Sequence, residues 1–277
     1  MELTSNEAKE RYAALAANMS RTVIGLDFDG VLSPIVDDPA QAHIHPDAHD
    51  VLVPLATKAL AVAVITGRPA RQALALGGLD EIGAEIAGEG RELYLFGQYG
   101  NERWSSTQRR IVSPRPPAGL ARFLRELPQL IRSADVTGAY IEEKGLAVAV
   151  HTRQLDDPAA AQERLIPVLE KAAAQHDLSL EPGRAVVEVR AGGMHKGLVV
   201  DYLAEQLEAG GFLFAGDDLG DLEAFHAVAD LRTRGLDTLL VCSASDEQSA
   251  LVELADVVVP GPDGVLDLLR QLTADAP

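Results

Sequence analysis

The stretch VIGLDFDGVLSPI, Val23 to Ile35, closes an apolar run with two aspartates one residue apart and follows them at once with glycine. A short apolar run bounded by turn residues reads as a strand buried on both faces. Asp27 and Asp29 then stand where that strand leaves the core. Two carboxylates crowded at such a point repel each other unless a cation, or a reaction, makes use of them.

Working outward, similar runs recur as LAVAVITG, LYLFG, GFLFAG, TLLVCSA and ADVVVP. Helical patterns fall between them over Asp47 to Ala59, Ala70 to Leu76, Lys196 to Glu208, Asp221 to Ala229 and Asp263 to Leu272. Strands alternating with helices predict an α/β fold with a Rossmann-like parallel-sheet core. Between Ile111 and Gly193 the rhythm changes. Proline-rich VSPRPPAG leads into a helix near Leu120 to Arg132, then strands AYIEEK and GLAVAVHTR, a helix from Pro158 to Gln175, and strands LSLEP and AVVEVR. That order predicts a small antiparallel sheet with two helices, an inserted α+β cap domain. The expected division is a discontinuous core over 1–112 and 192–277 with the insertion over 113–191, joined through Pro and Gly hinges.

With 277 residues, 47% of them hydrophobic, the chain can bury a large core and a smaller second one. A formal net charge of −18 argues against nucleic acid as a partner, because phosphate backbones are held by clustered Lys and Arg. No apolar stretch approaches the roughly 20 residues that cross a bilayer, so no membrane partner is expected. The opening residues read as a capped helix rather than a targeting segment, and a cytoplasmic location is expected. The lone Cys242, within TLLVC, reads as a small buried hydrophobe.

In an open parallel sheet ligands bind beyond the carboxyl ends of the strands, and DFDG, ITGR, GQYG and GDDLGD all fall there. Asp27, Asp29, Asp217, Asp218 and Asp221 would repel strongly without a cation among them, and the ion that suits oxygen donors is Mg²⁺. With a phosphate ester as substrate these residues acquire roles. An ionised aspartate attacks phosphorus without needing a general base, and a second one exchanges protons with the leaving oxygen and with water. Lys196, at the start of a helix, can hold the nucleophile and the phosphoryl group. Thr66 supplies a hydroxyl beside a turn rich in N–H donors. Arg68 either meets the phosphate or caps the helix that follows.

DFDG, ITGR, MHKG and GDDLGD, in that order, resemble the haloacid dehalogenase superfamily of phosphatases, over nearly the whole chain. The resemblance implies Asp27 as nucleophile and Asp29 as acid/base and, through its backbone carbonyl, a metal ligand. It implies Asp217 as a direct Mg²⁺ ligand, with Asp218 and Asp221 supporting the metal or its waters. In the insertion, E-x-K at Glu142 to Lys144, H-x-R from His151 and E-x-R from Glu188 resemble trehalose-6-phosphate phosphatases. That second resemblance implies a small-molecule sugar phosphate as the partner, with Glu142 and Glu188 on sugar hydroxyls and Lys144 and His151 helping to hold the substrate.

The sequence departs from these families at Val31 and Gly220, where threonine is common. It departs also at Thr66 for serine, Leu222 for glutamate and Tyr99 for histidine. The expected activity is Mg²⁺-dependent hydrolysis of trehalose 6-phosphate through an aspartyl-phosphate. Alternatives are the same chemistry on another phosphorylated sugar or a glycosyl-phosphoglycerate, and a sugar-phosphate sensor without turnover. His43, His45 and His49 read as surface histidines, and Trp104 as packing at the domain junction.

Overall fold

In the computed structural model, which describes residues 2–36, 38–183, 185–244 and 251–277, the chain alternates short strands with helices. The first segment runs β1 (Glu2–Leu3), α1 (Asn6–Ala17), β2 (Thr22–Leu26), α2 (Ala48–Lys58), β3 (Ala61–Ile65), α3 (Ala70–Gly77), α4 (Leu79–Gly88), β4 (Leu93–Gly97) and β5 (Glu102–Ser105). The middle segment holds α5 (Leu120–Ser133), β6 (Tyr140–Glu143), β7 (Ala147–His151), α6 (Pro158–Gln175), β8 (Ser179–Gly183) and β9 (Val186–Arg190). The last segment runs α7 (Lys196–Gln206), β10 (Gly211–Gly216), α8 (Leu222–Thr233), β11 (Asp237–Ala244), β12 (Val257–Pro260) and α9 (Gly261–Asp275). Two compact units result, Met1–Ser113 with His195–Pro277, and Pro114–Met194. No described helix is long and apolar enough to cross a membrane.

The larger unit is built on an eight-stranded sheet in the order β1-β12-β11-β10-β2-β3-β4-β5. Its six inner strands are parallel, while β1 and β5 close the edges antiparallel. Alternation along β2 decides which layer each side chain joins. Ile24 and Leu26 pack with Leu15, Leu52, Leu55 and Leu269 on one face. Val23 packs with Phe212, Phe214, Leu203 and Phe225 on the other. Gly25 sits where a Cβ would come within 3.0 Å of both phenylalanine rings, so its bare backbone lets the aromatic layer close. Strand order reverses at β2, with β3 on one side and β10 on the other. The crevice at that switch point is where an open α/β sheet binds ligands.

The smaller unit is an antiparallel sheet in the order β6-β7-β9-β8 with α5 and α6 over one face. Val148, Val150, Val187 and Val189 point into the helices and pack with Phe123, Leu127, Leu165 and Leu169. The alternate residues form the opposite face. Register aligns Glu142, Ala149, Glu188 and Glu181 in one row across all four strands.

Three elements go beyond the sequence reading: α4, β5 and the two-residue β1. Trp104, expected at the domain junction, lies on β5 and is buried in the larger core, its ring against Gly83 of α4. His45 and His49 sit at the surface, within hydrogen-bond distance of Asp263, and of Asp50 and Glu85, respectively.

Candidate active site

Asp27 extends β2 by one bond, its N–H donating to Ala215 O on β10 at 2.9 Å. The parallel pairing of β2 with β10 therefore sets Asp27 beside Asp217 across the switch point. The chain then turns through Gly30, whose φ of +70° lies in the left-handed region that glycine occupies without penalty. A Cβ at Gly30 would lie 2.2 Å from Asp217 Oδ2, so the residue must also be bare for the second aspartate to approach. Ser243, at the end of β11, fixes this turn by donating its hydroxyl to Gly30 O at 2.6 Å.

Lys196 Nζ bridges Asp27 Oδ1 at 2.8 Å and Asp221 Oδ1 at 2.7 Å, and all three side chains are buried. Asp221 is wholly enclosed, and its second oxygen accepts the Asp217 N–H at 3.0 Å. Asp218 instead caps the short turn that follows, accepting from Gly220 N at 2.8 Å. Asp221 is thus a brace between the lysine and the GDD loop, and Asp27 and Asp217 are left to face the crevice. Asp27, Asp217 and Asp221 each offer an oxygen within 4.8 Å of the others, a three-carboxylate group that could hold a metal ion. The Asp29 and Asp218 carboxylates are not brought into that group.

Charge here is out of balance. Burial, then the charge of Asp221, drives the Asp27 carboxyl well above its ordinary range, with Lys196 pulling the other way. Burial and Asp27 push Asp217 up to about 10, and burial with Asp221 raises Asp218. Burial disfavours the Lys196 ammonium, yet Asp221 and Asp27 overcome it and hold the lysine charged. Carboxylates so placed must take up protons or share a cation, and an all-oxygen donor set suits a hard divalent ion such as Mg²⁺.

Asp29 and Arg68 form a separate pair. The Arg68 guanidinium donates through Nε and Nη2 to the two carboxylate oxygens, both at 2.7 Å, and through Nη1 to Pro39 O at 2.8 Å. Asp29 is the more exposed member, its side chain 38% accessible. Arg68, expected at the phosphate or on the helix, is engaged here by Asp29. Thr66 is buried, its hydroxyl accepting the Arg68 N–H at 3.1 Å and so shaping the turn after β3.

The segment after β4 leans on the same turn. Gln98 and Tyr99 donate their N–H groups to Arg68 O and Thr66 O, at 2.8 and 3.0 Å. Both adopt left-handed φ, 47° and 60°, a conformation costing non-glycine residues on the order of 1–2 kcal/mol each. Glu102 Oε2 accepts the Ala70 N–H at the start of α3, at 2.6 Å.

On the face of the smaller sheet away from its helices the carboxylates carry their own partners. Glu142 Oε2 lies 3.0 Å from His151 Nε2, and Lys144 Nζ donates to Glu188 Oε2 at 2.7 Å. The four expected residues thus share one sheet region, because β6, β7 and β9 are neighbours and Glu142 and Glu188 flank Ala149. Arg190 joins them, 3.3 Å from Glu181 and 3.9 Å from Glu188. Ser243, Glu102 and Arg190 were not among the expected site residues. Only Arg190, as the end of E-x-R, carried a signal in the sequence.

A family model described as trehalose-phosphatase matches residues 25–110 and 125–276. An uncharacterized glycosyl hydrolase of Mycobacterium tuberculosis is 33% identical over 219 residues, covering 75% of this chain, which spans only 15% of that protein's length. Trehalose-phosphate phosphatase B of Arabidopsis thaliana is 27% identical over 265 residues, covering 87% of this chain and 64% of its own. Among solved structures, the C-terminal domain of Candida albicans trehalose-6-phosphate phosphatase superposes with a TM-score of 0.77 at 20% identity, covering 96% of each chain. At that identity the likeness speaks for the fold.

Proposed function

The chain belongs to the trehalose-phosphatase family, and on that premise we propose that it hydrolyses trehalose 6-phosphate to trehalose and phosphate through an aspartyl-phosphate on Asp27. The observation that carries the reading is Asp27 itself, buried at the end of the central strand with Lys196, which Asp221 holds in turn, fixing its Oδ1. Among the described residues, Lys196 Nζ and Phe28 N–H address Oδ1 of its carboxylate. Oδ2 is the oxygen to attack phosphorus.

In the first step Asp27 Oδ2 bonds to phosphorus as the bond to the sugar oxygen breaks, and Asp29 gives that oxygen a proton. In the second, water attacks the phosphoryl group and Asp29 takes the water's proton, returning Asp27 to its starting state. Asp29 must leave Arg68 to carry a proton inward, so the ion pair is exchanged during turnover. Lys196 keeps the nucleophile oriented, and the Thr66 hydroxyl faces the phosphate. Asp27 and Asp217, with the Asp29 carbonyl, would hold Mg²⁺, braced by Asp218 and Asp221. The ion supplies the positive charge that lets an anionic nucleophile meet an anionic ester.

Glu142, Lys144, His151 and Glu188 are proposed to recognise the sugar. Their mutual pairs hold them ready, and each can exchange its partner for a sugar hydroxyl. The departures at Tyr99, Gly220 and Leu222 favour testing other glycosyl phosphates beside the disaccharide. Phosphate release measured over a panel of sugar phosphates with Mg²⁺ tests the reading. Turnover led by trehalose 6-phosphate supports it, and equal rates on all small esters with none on trehalose 6-phosphate overturns it.

A further inference from the structure

We propose that Gln98–Glu102 is a strained clamp on the turn Thr66–Arg68, with Tyr99 as a positioning residue for phosphate binding; this rests on the phosphatase reading above. Four contacts converge on that turn and the helix start behind it. Tyr99 N–H holds Thr66 O, Gln98 N–H holds Arg68 O, and Glu102 holds Ala70 N–H. The fourth contact is the Tyr99 ring on Gly67. A Cβ added to Gly67 would meet the phenol oxygen and its ring carbon at 2.9 Å, so the ring covers the middle of the turn.

A loop that merely joined β4 to β5 would place glycine or asparagine at its left-handed positions. Here glutamine and tyrosine take two such positions in succession, ahead of Gly100 at φ +107°. Strain retained in a well-bonded segment beside a site points to a use for that geometry. The turn supports two groups of the chemistry at once. Thr66 Oγ1 is tied to Arg68 N–H, and the Arg68 side chain grips Asp29. Displacing Thr66–Arg68 would therefore move the phosphate-facing hydroxyl and the acid/base together. Tyr99 acts through this turn rather than on the ester.

The test uses the full chain with Tyr99→Asn and Tyr99→Phe. Asparagine tolerates left-handed φ, so the first variant removes the ring without adding strain. Orthovanadate, a mimic of the five-coordinate phosphoryl group, is titrated by calorimetry in the presence of Mg²⁺, beside kcat, KM and melting temperature. Tyr99→Asn is expected to weaken vanadate binding and lower kcat/KM by about tenfold or more, since small misplacement of positioning groups is costly. Its melting point should stay within about 3 °C of the parent. Tyr99→Phe, which keeps the ring, should hold both values to within about threefold.

Unchanged vanadate affinity in Tyr99→Asn, whatever its melting point, overturns the clamp. So does an equal loss in Tyr99→Phe, which would make the hydroxyl a direct contact. If Tyr99→Asn does not fold, Gly67→Ala displaces the ring from the other side and is expected to give the same loss; unaltered vanadate affinity there also overturns the proposal. A wild-type protein that neither binds vanadate nor releases phosphate from any ester defeats the phosphatase reading itself. Wild-type turnover with unaltered variants defeats the clamp alone.

Discussion

The end of β2 and the helix-free face of the smaller sheet are both rich in carboxylates, yet they are arranged in opposite ways. On the sheet face Glu142 has His151, and Glu188 has Lys144 with Arg190 beyond it, so each acid has at least one basic neighbour. In the crevice Lys196 is the one cation, among the described residues, paired with Asp27 and Asp221, and burial with the neighbouring carboxylates pushes Asp27, Asp217 and Asp218 upward. A matched pair is stable as it stands and gives up its partner only to something that bonds as well, which suits recognition of hydroxyls. An unmatched cluster is unstable until a cation arrives, which suits binding a metal and then a phosphate.

The sharpest way to break this contrast is the same chemical change in both places. Asp27→Asn should lower turnover by on the order of 10⁴-fold or more, since removal of a nucleophile leaves only binding contributions. It should not lower the melting temperature of the metal-free protein, because it removes one charge from an overcrowded site and leaves Lys196 its bond to Asp221. Glu188→Gln should act the other way on stability, costing about 1–2 kcal/mol through loss of the ionic bond to Lys144. Thermal melts of the two variants in chelator decide this. A destabilised Asp27→Asn would contradict the account of the crevice.

Gly30→Ala comes next in size. A Cβ there collides with Asp217 and opposes the +70° φ. Activity should fall by about 10²-fold, with Mg²⁺ affinity weakened in parallel, because the two aspartates can no longer approach. Calorimetric Mg²⁺ titration checks it, and unaltered metal affinity would place the steric requirement elsewhere.

A third test concerns pH. The folded value of Asp217, about 10, lies above the ordinary 3.8, so between those values the folded chain binds more protons than the unfolded one. Stability of the metal-free protein should therefore fall as pH rises through that window. Mg²⁺ should replace the protons and flatten the slope, raising the melting temperature more at pH 8 than at pH 6. A melting temperature independent of pH in chelator would mean that the carboxylates are better solvated than their burial implies.

Much of this was legible in the sequence, for identifiable reasons. β2, β3 and β10 are buried on both faces, and such strands write themselves as unbroken apolar runs. Helix α4 was hidden because Gly77, Gly78 and Gly83 read as turn signals, although Leu79, Ile82 and Ile86 keep helical spacing. Glu102–Ser105 has no alternation to mark it as β5, and its strand character comes from pairing with β4. In the site, Asp27, Asp29, Thr66 and Asp217 were visible because each stands just beyond a strand end, and Lys196 because it opens a helix. The pairing of Asp29 with Arg68 and the hold of Ser243 on Gly30 were not, since they join residues 39 and 213 positions apart. Only the folded register brings those together. The left-handed pair Gln98 and Tyr99 was equally hidden, because neither residue type signals that conformation.

The smallest expected effect bears most directly on the central claim, that the crevice performs the chemistry and the sheet face chooses the substrate. It is the ratio of kcat/KM for trehalose 6-phosphate to that for para-nitrophenyl phosphate, measured with Mg²⁺ in the parent, Glu142→Gln and Glu188→Gln. Each substitution is expected to lower the ratio by about 10- to 100-fold, almost wholly through the disaccharide, because the groups proposed to bond sugar hydroxyls are lost while Asp27, Lys196 and Asp217 are untouched. Equal losses on both esters, with the variants folded at the assay temperature and metal binding intact, would contradict it.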